Sequence, residues 1–241
     1  MLRRIVLLIL LVLSLVFGRD EKTKALLVLA HPDDETLFMM PTIQVFTQTK
    51  ELYFFYFTNG NADGQGERRE EELYRWIQHV NVSEDHYTIL QDERIQDGFD
   101  QTWNRTLCSQ ILREVILKKG IREVYSFDEK GVSKHPNHIA TFRALESLSQ
   151  YPDLENVSFY SLESGSLLTK YMGPFNLIRK QSKCIYNSKL FLSLNTFRIH
   201  QSQITWYRIL FTLFSRFSYM NCWKTIVVPL HDNPVPLDVH E

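Results

Sequence analysis

A chain of 241 residues, 44% hydrophobic and 13% aromatic, carries enough apolar side chain for one domain of ordinary or generous size with a large core. A net charge of -1 supplies no basic surface that would argue for nucleic acid as a partner. Cys108, Cys184 and Cys222 are far apart and odd in number, with no Cys-x-x-Cys spacing, so neither a disulfide framework nor a thiolate zinc site is indicated. Any metal has to be held by histidines and carboxylates.

At the amino terminus, Arg3 and Arg4 precede an apolar run over residues 5–17, broken only by Ser14. Its length resembles a signal-peptide core, with Val16 and Gly18 suiting cleavage after Gly18, whereas a comfortable membrane span needs about 20 apolar residues. The run also fits a short uncleaved anchor in the thin endoplasmic reticulum bilayer. Arg19, Lys22 and Lys24 outnumber Arg3 and Arg4, which leans the rest of the chain towards the cytosolic side. Residues 1–24 are therefore read as a signal-anchor or transmembrane segment with its flank, and residues 25–241 as one domain. Three Asn-x-Ser/Thr sequons, at Asn81, Asn104 and Asn156, would matter only in the lumen.

Residues 25–29 are an apolar run that reads as a buried parallel strand. Ala30-His31-Pro32-Asp33-Asp34-Glu35 follows, then a helical stretch. Residues 52–57 read as a second buried strand, with a Gly-, Asn- and Asp-rich exit loop and a charged helix over 67–79. A third strand is expected at 86–90, a helix at 105–119 ended by Gly120, and a fourth strand at 123–127. A polar loop then leads to His135-Pro136-Asn137-His138, a helix to about 148 and a fifth strand at 158–162. This alternation predicts a Rossmann-like, doubly wound, mainly parallel sheet with helices on both faces. Beyond Gly165, residues 189–194 suggest one more strand. Residues 197–220 suggest a long helix, either buried in the core or lying on a membrane with Arg208 and Arg216 towards headgroups. The tail after Val228, with three prolines, is expected to be irregular.

His31 and Asp34 stand where a strand ends and a helix begins, the edge at which open α/β sheets bind ligands. A helix cap would explain Asp33 or Asp34 alone, but not the crowding of His31, both aspartates and Glu35. His135-Pro136-Asn137-His138 repeats the device after another strand. Together the motifs offer His31, Asp34 and one of His135 or His138, the three protein ligands of a catalytic zinc. Asp33 would serve as the base for water, and the remaining histidine would face the oxyanion or the leaving group. Such a set suits hydrolysis of an amide or ester.

Ala-His-Pro-Asp-Asp-Glu together with Phe127-Asp128…Gly131-Val132-Ser133-x-His135-x-Asn137-His138 resembles the LmbE/PIG-L zinc de-N-acetylases. Gly66-Glu67-x-Arg69-x-x-Glu72-Leu73 and His200-x-Ser202-Gln203-x-x-Trp206-Tyr207-Arg208 extend the likeness over about residues 25–220. The resemblance implies His31, Asp34 and His138 as metal ligands, Asp33 as general base, His135 as the oxyanion-side histidine and Arg69 as a substrate contact. It also implies zinc, with iron as another acceptable metal. With the apolar amino terminus, it points to the eukaryotic branch, which removes acetate from N-acetylglucosaminyl-phosphatidylinositol at the endoplasmic reticulum membrane in GPI-anchor synthesis. Arg69 also reads as a surface arginine paired with a helix glutamate, and His200 as a core histidine. Ser133 stands where some bacterial relatives have a tyrosine, and Trp103-Asn104 where mammalian relatives have Trp-Asp. Two rival readings are a lumenal or secreted deacetylase of a soluble N-acetyl sugar, and a catalytically inactive binding protein on the same fold.

Overall fold

The computed structural model describes residues 22–178, 181–187, 189 and 191–227. The expected anchor and the proline-bearing tail lie outside the described residues. Among the latter, no helix is long and apolar enough to cross a membrane.

β1 (Lys24–Leu29) pairs in parallel with β2 (Glu51–Tyr56), Lys24 opposite Glu51 and Leu29 opposite Tyr56. Past their first residues both strands are buried, as the centre of a parallel sheet covered on both faces demands. β3 (Tyr87–Ile89) pairs with β2, while β4 (Glu123–Ser126) pairs with the other edge of β1 and β5 (Ser158–Leu162) with β4, all parallel. The helices between them are α1 (Asp34–Phe38), α2 (Met40–Thr49), α3 (Gly66–His79), α4 (Arg105–Lys119), α5 (Gly131–Lys134) and α6 (Pro136–Leu148). α3 buries Leu73, Trp76 and Ile77, the apolar stripe its spacing predicts, and each such side chain contributes about 1.5–3 kcal/mol. α4 packs against α6.

In space the strands run β3-β2-β1-β4-β5, so the chain winds outward from β1 in one direction and then from β4 in the other. The carboxyl ends of β1 and β4 flank that reversal, where an open sheet leaves a crevice for ligands. Both histidine motifs leave the sheet at these two adjacent ends.

The last third departs from the sequence-based expectation. Residues 189–194 are not a strand; helix α8 (Leu192–Phe197) follows the four-residue α7 (Leu167–Lys170). The expected long helix is divided into a short turn at Gln201–Gln203, helix α9 (Trp206–Phe214), another turn at Arg216–Ser218 and a strand. Thr205 (φ -132°, ψ 157°) and Ser215 (φ -73°, ψ 139°) are extended and break it. Nor is α9 a core helix, since only Thr212 is fully buried in it. Arg208 turns into the site and Arg216 is buried, so neither points at headgroups. Strand β7 (Met220–Thr225) runs antiparallel to β5, and β6 (Cys184–Tyr186) antiparallel to β7, giving a sheet of seven strands. Cys184 faces Cys222 across this pair with Cα atoms 4.0 Å apart, and the two form a disulfide that cysteine spacing did not indicate. The edge is thus an antiparallel pair joined by a long connection, β6 of three residues and β7 of six.

Candidate active site and metal centre

After β1 the chain turns sharply, and Asp33 takes φ 109° and ψ -22°, a conformation rare for a residue with a side chain. Such strain costs of order 1–3 kcal/mol and persists only where the surroundings fix it. Here the fixing groups are visible. The Asp33 amide donates to Glu35 Oε2 at 3.0 Å, and the amides of Ala30 and His31 donate to Asp34 Oδ2 at 3.1 and 2.8 Å. Asp33 precedes α1 but makes no side-chain cap, so the capping explanation of the Asp-Asp pair does not describe it.

The second motif is built by another strained turn. Gly131, Val132 and Lys134 all have positive φ, and Asp128 holds the loop by accepting from the Ser164 amide at 2.8 Å and its hydroxyl at 2.7 Å. His135 then starts α6, its Nδ1 accepting from the Asn137 amide at 3.3 Å. His138 follows one turn on and is buried.

The donor atoms of His31, Asp34 and His138 lie within 4.8 Å of one another. Their protonation follows from their partners. His138 Nδ1 lies 3.1 Å from the Gly131 carbonyl, to which it must donate, so its lone pair is on Nε2. That Nε2 makes no hydrogen bond and faces Asp34 Oδ1 at 3.1 Å. A lone pair and a carboxylate oxygen facing each other in a buried place call for a cation between them, either a proton or a metal. His31 donates through Nε2 towards Asp97 Oδ1 (2.9 Å) and Asn137 Oδ1 (3.1 Å), which aims Nδ1 at Asp34 Oδ2, 3.5 Å away. Carboxylates behind ligating histidines are the usual means of fixing such rings. The donor set therefore fits a divalent metal. A second cluster, His31, Asp97 and His135, shares His31, but His135 Nδ1 already serves the Asn137 amide, whereas His138 Nε2 has no other use.

The charges follow the same geometry. Burial alone would lower the His31 pKa, but Asp34 and Asp97 raise it to about 10. Burial would raise Asp34, yet His138 and His31 hold it well below the usual carboxylate range. Asp33 goes the other way: burial raises its pKa and outweighs Arg69 and Arg208. Its Oδ1 is 3.4 Å from Arg69 Nη2 and its Oδ2, which accepts no hydrogen bond, is 3.3 Å from Arg208 Nη1. Burial, then the neighbouring His31 and His138, push His135 down to about 4, so this ring is neutral at physiological pH.

Arg69 is not a surface residue. It is buried on α3, donating to the Pro32 carbonyl at 2.6 Å and the Gly60 carbonyl at 3.0 Å. It clamps the Asp33 turn from behind as well as lining the pocket. The pocket has a volume of about 710 Å³, and His31, Asp33, Asp34, His135 and His138 all line it, with Ser133 at its wall.

The two outlying sequence stretches also meet here. Glu72 accepts from the Ser202 amide (2.8 Å) and hydroxyl (2.6 Å), tying α3 to the turn before α9. His200 Nε2 lies 2.6 Å from Glu35 Oε1, both residues fully buried, and Tyr56 donates to Glu35 Oε2 at 3.2 Å. That pairing accounts for Glu35, and the carboxylate raises the His200 pKa against the effect of burial. Sequence reasoning missed Asp97, and named Gln203 and Arg208 without giving either a role in the site, whose pocket all three line. Asp97 has no motif around it, while Arg208 reads as part of a family stretch and as a residue directed at headgroups. Asn104, whose replacement of an acid raised a question, accepts from the Leu107 amide at 3.0 Å and caps α4. The acidic group that the segment after β3 sends to the site is Asp97.

Comparison with known proteins agrees with this arrangement. The PIG-L family model, described as GlcNAc-PI de-N-acetylase, matches residues 26–149. An N-acetylglucosaminyl-phosphatidylinositol de-N-acetylase of Bos taurus is 32% identical, the match covering 83% of this chain and 82% of that protein. A probable enzyme of the same name from Dictyostelium discoideum is 30% identical over 83% of this chain and 92% of its own length. Among solved structures, N,N'-diacetylchitobiose deacetylase from Pyrococcus horikoshii superposes with a TM-score of 0.61 at 16% identity, covering 88% of this chain and 89% of that one. A triple mutant of a deacetylase of teicoplanin biosynthesis gives 0.57 at 14% identity, covering 84% and 98%. These two likenesses bear on the fold. Family model, sequence relatives and fold agree, and the chain belongs to the PIG-L family of GlcNAc-PI de-N-acetylases.

Proposed function

We propose that this chain hydrolyses the N-acetyl group of N-acetylglucosaminyl-phosphatidylinositol, giving glucosaminyl-phosphatidylinositol and acetate, the second step of GPI-anchor synthesis. The observation that carries the reading is the convergence of His31, Asp34 and His138 within 4.8 Å, beside Asp33 and His135 in one pocket. The substrate follows from relatives about 30% identical over most of the chain.

His31, Asp34 and His138 would hold the metal, zinc by the character of the donors and iron as the alternative; it would supply Lewis-acid activation of water and of the acetamide carbonyl. Asp33 takes the proton from the attacking water at Oδ2, which accepts no hydrogen bond and has Arg208 Nη1 3.3 Å away. Its raised pKa makes it a stronger base than an ordinary aspartate, matched more closely to neutral pH. His135 acts as a neutral donor. With Nδ1 accepting from the Asn137 amide, its proton is on Nε2, available to the acetyl oxygen as charge develops there. Arg69 and Arg208 keep Asp33 aimed and ionised before turnover. The site of action would be the endoplasmic reticulum membrane, with residues 1–24 as anchor and the domain on the cytosolic face.

The Cys184–Cys222 disulfide favours a second reading, since disulfides persist in oxidising compartments. It would put the domain in the lumen or outside the cell, acting on a soluble N-acetyl sugar, and a glycosidase-sensitive size shift at the Asn81, Asn104 or Asn156 sequons would follow.

Microsomes containing the full chain, given GlcNAc-phosphatidylinositol labelled in the acetyl group, test the proposal. Acetate release that disappears in Asp33→Ala and on chelation, and returns when zinc is added to the chelated wild type, is the expected result. Turnover of soluble N-acetyl sugars but not of the lipid would move the protein to the second reading. Inactivity on both by folded protein would leave a binding protein.

A further inference from the structure

The last third of the chain has two properties that the hydrolytic chemistry does not use. Residues 164–231 include no aspartate or glutamate, although the whole chain is at -1, and with Arg208 turned into the site and Arg216 buried, Lys183, Lys189, Arg198 and Lys224 are the exposed cations among its described residues. In the same stretch large apolar side chains stand in water: Leu168 is 76% exposed, Phe175 65%, Trp206 73% and Phe214 53%. A single exposed apolar residue is ordinary, but a group of them on adjoining elements marks a surface that something covers.

These residues form one surface. The rings of Tyr171 and Phe211 pack with centroids 6.3 Å apart, joining the segment after α7 to α9. The backbone at Gly173 runs so close to Phe214 that a Cβ there would lie 3.3 Å from the Phe214 Cα. The surface is also continuous with the pocket. Tyr171, Tyr207 and Phe214 are about half exposed and at the same time line it, so they form its mouth. Lys170, half-buried, lines the pocket at that rim.

An apolar rim with Trp and Tyr, set in a segment without negative charge, has the composition of a surface that lies in the headgroup layer of an anionic bilayer. We propose that α9 and the segment from Leu168 to Phe175 rest on a phospholipid bilayer containing anionic lipid, with the pocket mouth opening at that interface. This contact rests on the glycolipid reading for its purpose. The acyl chains of the substrate stay in the membrane, and only the sugar headgroup rises into the pocket.

The chain carries its own probe. It has four tryptophans, and Trp76, Trp103 and Trp223 are buried, whereas Trp206 is exposed at the proposed contact. Full-length protein is reconstituted into vesicles of phosphatidylcholine and phosphatidylinositol whose phosphatidylcholine carries brominated acyl chains. The bromines should quench part of the tryptophan fluorescence, and Trp206→Phe should remove the quenchable part. The double variant Leu168→Ser/Phe175→Ser should lose quenching and hydrolyse vesicle-borne substrate several-fold more slowly. It should hydrolyse the water-soluble N-acetylglucosaminyl-inositol phosphate headgroup at the wild-type rate, because neither residue lines the pocket. Trp206 that is unquenched in these vesicles overturns the proposal, since the surface then faces water or the chain's own residues 5–17. Equal slowing on both substrates overturns it too. If the wild type hydrolyses neither substrate, the functional reading fails, while the quenching still decides the membrane contact.

Discussion

The clamp on the Asp33 turn gives a quantitative prediction. Arg69 donates to the Pro32 and Gly60 carbonyls, and hydrogen bonds from a charged donor are worth about 1.5–3 kcal/mol each. Arg69→Ala should therefore destabilise the protein by about 3–6 kcal/mol. Gly60 has φ +74°, and a Cβ there would lie 2.3 Å from Arg69 Cζ. Gly60→Ala thus costs about 1 kcal/mol of backbone strain and also displaces the guanidinium, forfeiting part of the same bonds. In an Arg69→Ala background only the backbone strain remains. A double-mutant cycle by equilibrium urea unfolding of the full chain in detergent should show the pair to be less than additive by about 2 kcal/mol or more. Additivity within about 0.5 kcal/mol would mean that Gly60 and Arg69 act independently and that the clamp is not what holds the turn. Arg69 is also the leading charge opposing the upward shift of Asp33, so Arg69→Ala should move the acid limb of kcat/KM to higher pH.

Other consequences follow from the same network. In chelated protein, His31 is raised from 6.5 to about 10 by Asp34 and Asp97 against burial, so its contribution to stability is complete below about pH 6.5 and is lost as pH rises through 10. Asp97, lowered to about 2 by His31 against burial, contributes above its unfolded pKa and loses that as pH falls through 2. Thermal unfolding of the chelated protein should thus occur at falling temperature between about pH 6.5 and 10, with a shallower slope in Asp97→Asn. His200→Phe leaves the buried Glu35 without its ion-pair partner, keeping only the Tyr56, Thr36 and Asp33 hydrogen bonds, and should cost about 3–5 kcal/mol in the same assay. Asn104→Ala removes a helix cap far from the chemistry, costing about 1 kcal/mol with kcat unchanged.

Much of this molecule was legible because β1 and β2 are nearly continuous apolar runs, the three shorter strands after them alternate with helices, and those helices repeat apolar residues at helical spacing. The helix at residues 105–119 ends at Gly120 as read, because φ 67° there suits glycine. The motif residues came together because both leave adjacent strand ends at the switch point, which the alternation of strands and helices implies. The later elements were misread for a different reason. The aromatic stretch from 197 to 220 is interrupted at the extended Thr205 and Ser215, and the part before Thr205 is held by distant partners that no local pattern shows, His200 by Glu35 and Ser202 by Glu72. β6 has three residues and β7 gains its place only by pairing with β5, so neither has a local signature. Asp97 belongs to the same class, since it is identified only by its 2.9 Å approach to His31.

The most direct test of the centre is metal content per chain after purification and dialysis, compared among wild type, Asp33→Asn and His138→Gln. His138 Nε2 has no hydrogen-bond partner and faces Asp34 Oδ1 at 3.1 Å, and Asp33 stands apart with its two arginines. The wild type and Asp33→Asn should therefore retain a stoichiometric divalent metal, with Asp33→Asn releasing no acetate, while His138→Gln should be folded and metal-depleted. Equal metal in all three, or loss of metal in Asp33→Asn with retention in His138→Gln, would contradict the division of this motif into ligands and base.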